Sequence, residues 1–227
     1  MRKDDEYAII DGYTGYTNIL PKEQIEGLAK EIEQYHRTLL NLMVSYAGND
    51  AEKFTQLYRR RVRATSNEKK VVAQLATLDV AQDLEQVMET LTYGISRRCT
   101  REAGRIMLED VQVEISSLTE ELKHLQNGKI KEYEERLNYC HQLKEGLTRA
   151  INAEERNTAG MVASNMRFVM DKAKSVFERL RDADIDYADL VQEGMKGLYR
   201  AADRFDYRRK ITLPTYASWD IMGDFCT

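Results

Sequence analysis

The sequence predicts an all-α protein, and three observations carry that reading. Proline occurs only 2 times in 227 residues while charged residues make up 32% of the chain, a balance suited to long solvated helices. Apolar residues recur at three- and four-residue spacing through most of the chain, which is the repeat of one helix face. No stretch alternates apolar and polar for long, so nothing reads as a half-buried strand.

Residues 1–18 are polar and contain the turn-prone DGYTGYTN; they are expected to form a flexible N-terminus. Pro21 opens the first helix, with Glu23 at its positive end. Its apolar stripe runs through Ile25, Leu28, Ala29, Ile32, Leu39, Leu40 and Met43 and stops near Gly48-Asn49. A second helix is predicted from about Asp50 to Val62, ending in the basic run YRRRVR, which reads as a solvated face. Thr65 or Ser66 can cap a long third helix, VVAQLATLDVAQDLEQVMETL, with Gly94 near its end.

The clearest periodicity lies in the middle. Val111, Ile115, Leu118, Leu122 and Leu125 follow four-and-three spacing, and Tyr133, Leu137, Cys140 and Leu147 resume it after Asn127-Gly128. This predicts two seams of an antiparallel helical hairpin turning at QNGK. His124 and His141 flank the stripes without a carboxylate–histidine cluster at ligand spacing, so they read as surface or boundary residues. From about Ala153 a further helix carries NMRFVMDKAKSVFERL, with Met166, Val169, Met170, Ala173 and Phe177 as its stripe, and breaks at DADID. Asp186 then caps a helix that buries Leu190, Val191, Leu198, Ala201, Ala202 and Phe205, with Asp189 in its first turn.

Several functional classes lack support. There is no phosphate-cradling glycine loop, nucleophile elbow, HExxH or paired acid and base, so the expectation is a non-enzyme without cofactor or metal. Cys99, Cys140 and Cys226 are too widely spaced for a disulfide framework or a zinc site and read as reduced thiols. No apolar run approaches the ~20 residues that cross a bilayer, and MRKDDEYAII lacks a signal-peptide profile. The expected location is cytoplasmic, with no membrane partner. A formal charge of −4 offers no global attraction to nucleic acid, so any such binding rests on a local patch.

Such a patch exists near the C-terminus. Asp182, Asp184, Asp186, Asp189 and Glu193 form an acidic edge, and Lys196, Arg200, Arg204, Arg208, Arg209 and Lys210 follow, diluted only by Asp203 and Asp206. An acidic edge suits a basic protein partner and a basic edge suits phosphate. Lys196, Arg200 and Arg204 are four apart and share a helix face. Tyr207, Tyr216 and Trp219 lie beside them, and the last two sit three apart on the next helix. Rings so placed can stack on bases at about 1–3 kcal/mol each. They can equally pack a core, and pattern alone leaves both readings open.

The segments DLVQEGMKGLYRAADRFDYRR and TYASW resemble region 2 of the bacterial sigma factors of the primary, housekeeping class. SNMRFVMDKAKSV looks like the first helix of that region, and ILPKEQIEGLAKEIE looks like sigma region 1.2. The resemblance implies four parts: a flexible N-terminus at 1–18, a region 1.2-like helix at 19–48, a helical insertion at 49–152, and sigma region 2 at 153–227. The implied fold is a multi-helix sigma region 2 domain with a long helical or coiled-coil hairpin insertion.

The implied partners are core RNA polymerase, through the clamp helices of its largest subunit, and promoter DNA, as the melted non-template strand of the −10 element. By match, Asp189, Gln192 and Glu193 face the clamp helices, with Met195 and Tyr199 at neighbouring contact positions. Tyr216 falls where the family stacks a ring on a flipped adenine, with Arg209 and Asp206 in the same pocket. Asn165 and Phe168 match the pocket for a flipped thymine, and Trp219 matches the first of two adjacent tryptophans that wedge against the duplex edge. Arg200, Arg204, Tyr207 and Arg208 complete the DNA-binding set, the basic residues positioning the backbone without specifying sequence.

The departures are equally specific. Asp220 replaces the second tryptophan, Ile211 an aromatic wall of the adenine pocket, and Gly223 a glutamine at the upstream edge; Leu213 and Pro214 are also off-pattern. They weaken the expectation of opening ordinary promoters and leave the polymerase-binding part better kept. The alternative reading is therefore a sigma-like regulator that occupies the clamp helices without opening ordinary promoters.

Overall fold

Helix α1 spans Lys22–Ala47. Pro21 precedes it, and its carbonyl accepts from the backbone of Gln24 at 3.0 Å and Ile25 at 3.1 Å. Gly48 ends it at φ 67°, a left-handed cap that glycine adopts without a Cβ clash. Asp50 then caps α2, Ala51–Arg59, its carboxylate accepting from the backbone N–H groups of Glu52 at 2.9 Å and Lys53 at 3.1 Å. The computed structural model describes residues 20–48, 50–59, 70–71, 73, 97–124, 129–180 and 185–225. The expectations for the polar start, the end of the YRRRVR run, most of the VVAQLATLDVAQDLEQVMETL helix, the QNGK turn and Cys226 lie outside the described residues. So do Leu125, Asp182 and Asp184.

Helices α3, Arg97–His124, and α4, Ile130–Ala163, are the arms of the expected hairpin. Their cross-links run antiparallel. Arg101 donates to Glu154 at 2.8 Å, Lys144 donates to Gln112, and Arg136 donates to Glu114 at 2.7 Å. Val111, Ile115 and Leu118 are buried with Cys140, Leu143 and Leu147, while Leu122 and Leu137 are only partly so. The seam therefore sits where the spacing puts it. His124 and His141 are exposed. Burial pushes the Tyr58 phenol far above its ordinary range, and burial followed by the Glu114 charge raises the Cys140 thiol.

One boundary differs from the sequence expectation. The helix does not restart near Ala153; α4 continues unbroken to Ala163, and the break falls at Ser164-Asn165. The Ser164 hydroxyl and the Asn165 amide both donate to the Met161 carbonyl, each at 2.8 Å. Side chains that capture a local carbonyl in this way compete with the helical ladder and favour its end.

Three further helices follow: α5, Met166–Arg179, α6, Tyr187–Arg204, and α7, Leu213–Asp224. Among the described residues every regular element is helical. The chain divides into two compact units, residues 33–155 and residues 1–32 with 156–227. The first has its core in Leu39, Leu40 and Met43 of α1, Phe54 of α2, Met107 of α3 and Leu147 of α4. The second is built from Ile25, Ala29 and Ile32 with Met161, Val169, Leu198, Phe205, Leu213, Ala217 and Ile221. A smaller cluster in it joins Ala173, Phe177, Tyr187 and Leu190.

Candidate nucleic-acid and protein interface

The candidate site lies in the second unit and depends on how α6 turns into α7. Asp186 caps α6, accepting from the Ala188 N–H at 2.7 Å. Leu190, Leu198, Ala201 and Ala202 face inward, which leaves Asp189, Gln192, Lys196 and Tyr199 outward along one stripe. Glu193 borders this stripe and pairs with Lys196 at 2.5 Å. Met195 instead packs partly buried against the core. The polymerase-facing residues expected from the sequence thus share one side of α6, apart from Met195.

After α6 the chain makes a single 3-10 turn, Tyr207–Arg209. Asp206 caps it, its carboxylate accepting from the Arg208 backbone at 3.0 Å and from Arg208 Nε at 3.1 Å. Lys210 closes the turn in the left-handed region at φ 57°. Thr212 then caps α7, its hydroxyl accepting from Thr215 N–H at 3.4 Å, with Pro214 in the first turn. The off-pattern Leu213 and Pro214 thus have structural work. Leu213 enters the core, and proline in a first turn costs no intrahelical hydrogen bond.

This turn gathers rings and charges. The Arg209 guanidinium lies 5.8 Å from the centroid of the Tyr216 ring, and that ring meets Phe205 edge-on at 5.8 Å. Lys30 and Arg208 lie 5.6 Å and 5.5 Å from the Tyr207 ring centroid. Tyr216 is half-buried, whereas Trp219 is 87% exposed. Tyr216 and Trp219 therefore do not form an open pair of rings; one is partly core and the other stands in solvent. At the α4–α5 joint, Asn165 is held through its amide to Met161 and Ser164, and Lys172 lies 5.5 Å from the Phe168 ring centroid. Each such cation–ring contact is worth about 0.5–1 kcal/mol at an exposed site.

The basic stripe of α6 is less available than its sequence suggests. Arg200 forms a two-oxygen pair with Asp224, and Arg204 lies 4.0 Å from Asp220. Arg209 and Lys210 make no ion pair with a carboxylate among the described residues. The sequence reading missed these partners of Arg200 and Arg204. Ile211 is 37% exposed, and a Cβ added at Gly223 meets nothing within 4 Å, so both departures lie at the surface. Among the described residues no group of three or more His, Cys, Asp or Glu could hold a metal ion, and no helix is long and apolar enough to cross a membrane.

Residues 161–224, which contain this arrangement apart from Lys30, match the family model for Sigma-70 region 2. Similar proteins include the RNA polymerase principal sigma factor HrdD of Streptomyces viridifaciens, 37% identical over 34% of this chain and 22% of that protein. The RNA polymerase sigma factor SigA of Microcystis aeruginosa is 37% identical over 36% of this chain and 18% of that protein. The sigma factor RpoD of Neisseria gonorrhoeae is 36% identical over 34% of this chain. The chain thus spans about a fifth or less of the length of these relatives. Over residues 161–224 it is similar to region 2 of sigma-70 factors.

Proposed function

We propose that the chain acts as a sigma-type subunit, binding core RNA polymerase and engaging the −10 promoter element as a melted non-template strand. The observation that carries this reading is the turn at 206–210, within the segment similar to Sigma-70 region 2. It sets Arg209 over the Tyr216 ring while α7 presents Trp219 to solvent. In this reading Tyr216 and Trp219 supply stacking faces, Arg208 and Arg209 meet the backbone, and Asp206 fixes the turn. Asn165 and Phe168 form a second base pocket, and Arg200, Arg204 and Tyr207 flank the same surface. Unstacking a base costs a few kcal/mol, which ring stacking offsets at about 1–3 kcal/mol per base. The outward side of α6, with Asp189, Gln192, Glu193 and Tyr199 and with Met195 beside it, is the proposed docking face for the clamp helices of the largest polymerase subunit.

A second reading has a specific observation in its favour. Asp220 sets a carboxylate next to Trp219, 32% of its side chain accessible, where it repels an approaching phosphate. That suits a regulator which docks on the polymerase without opening ordinary promoters. Both readings are separated by assembling the full chain with core polymerase and measuring capture of labelled single-stranded −10 oligonucleotides, against duplex and scrambled controls. Selective capture is expected, weakened by Trp219→Ala by about 1–3 kcal/mol, roughly 5- to 150-fold. Core binding without selective capture would sink the first reading and leave the second. Glu193→Lys should weaken core association in either case, and unchanged association would remove α6 as the docking face.

A further inference from the structure

Helices α6 and α7 meet at Gly197. A Cβ built there would lie 2.9 Å from the backbone carbon and oxygen of Asp220 and 2.9 Å from Asp224 Oδ2. The missing side chain lets α7 approach closely and seats the Asp224 carboxylate over the α6 backbone. From that seat Asp224 takes the Arg200 guanidinium on both oxygens. One turn earlier on α7, Asp220 lies beside Arg204 at 4.0 Å. Glu193 holds Lys196 at the other end of the stripe. All three cations of the α6 face thus have a carboxylate partner, two of them supplied by α7.

Arg200 Nη2 donates to both Asp224 oxygens, so one arm of its guanidinium is engaged and a carboxylate charge stands beside the rest. A phosphate reaching Arg200 must displace Asp224 or tolerate its charge. Arg209 and Lys210, in contrast, project from the turn without a carboxylate partner among the described residues. We propose that Asp220 and Asp224 are specificity-determining residues which withhold Arg204 and Arg200 from phosphate and confine backbone recognition chiefly to Arg209 and Lys210 of the turn. The inference rests on the strand-binding reading given above. Its consequence is a strand site with few phosphate contacts, where discrimination leans on ring stacking more than on charge.

The test uses the full chain with core polymerase and a labelled single-stranded −10 oligonucleotide, titrated over a range of salt. Each added phosphate contact on a single strand steepens the dependence of log affinity on log salt by about 0.7. The double variant Asp220→Asn, Asp224→Asn, which keeps side-chain size, should steepen the slope by ~1.4. Its advantage over the parent should then grow about 25-fold per tenfold dilution of salt. Adding Arg200→Ala and Arg204→Ala to the double variant should cancel the gain, whereas Arg209→Ala in the parent should flatten its slope by ~0.7. A parent that captures the strand, with an unchanged slope in the double variant, overturns this inference and leaves the proposed function standing. A gain that survives removal of both arginines also overturns it, because simple loss of repulsion then suffices. Absence of capture by parent and variant alike overturns this inference together with the strand-binding reading it rests on.

Discussion

At the scale of single residues, the side chains that matter most are those whose partners are far away in sequence. His36 is fully buried in the unit of residues 33–155, with its Nδ1 3.7 Å from Glu154 Oε2. Glu154, also fully buried, accepts from Arg101 at 2.8 Å across 53 residues of chain. Periodicity marks which face of a helix turns inward, but it cannot say which buried charges will meet, so this network was not legible. The same holds for Arg200 and Asp224, 24 residues apart. Capping was partly legible: Asp186 was readable beside an apolar run, while Asp206 and the left-handed Lys210 were not, because a one-turn helix has no repeat to detect. A buried carboxylate that loses a paired guanidinium is destabilised far more than a surface pair. Arg101→Met should therefore lower stability by about 3–5 kcal/mol in urea unfolding. A loss below about 1 kcal/mol, the usual worth of a surface pair, would show that Glu154 is hydrated in solution.

At the scale of elements, the glycines of α6 and α7 separate packing from surface. At Gly194 an added Cβ would lie 2.6 Å from Val169 Cγ1, and at Gly197 it would press on the α7 backbone. At Gly223 it meets nothing within 4 Å. Overfilling a close helix contact costs about 1–3 kcal/mol, whereas an unobstructed helical glycine gains up to about 1 kcal/mol on becoming alanine. Gly197→Ala should lower the unfolding midpoint and loosen α7, and Gly223→Ala should hold or raise it; equal effects would refute the close approach. The helices themselves were readable because α3, α4 and α6 each carry long apolar stripes. The expected restart near Ala153 fails because α4 runs on unbroken through residues 153–163. What ends α4 is side-chain capture of the Met161 carbonyl by Ser164 and Asn165, a geometric event that only the folded chain displays.

At the scale of the whole molecule, the two units each possess a core of their own. Leu39, Met107 and Leu147 are fully buried in one, Val169, Leu198 and Ala217 in the other. A unit with its own core has the ingredients to fold and open independently. The seam residues of the hairpin and the turn at 206–210 belong to different units, so damage to one core is expected to spare the other. Leu147→Ala removes a fully buried side chain and should cost about 2–5 kcal/mol. Hydrogen exchange reads where that cost falls. Amides of α3 and of α4 around Leu147 should exchange faster, while those of Leu198, Ala201 and Ala202 in α6 should keep their protection. Strand capture by the complex with core polymerase should persist at temperatures where the hairpin is already open. A uniform loss of protection along α3, α4 and α6 would mean one cooperative molecule, and the hairpin would then be a structural requirement of the proposed binding surface.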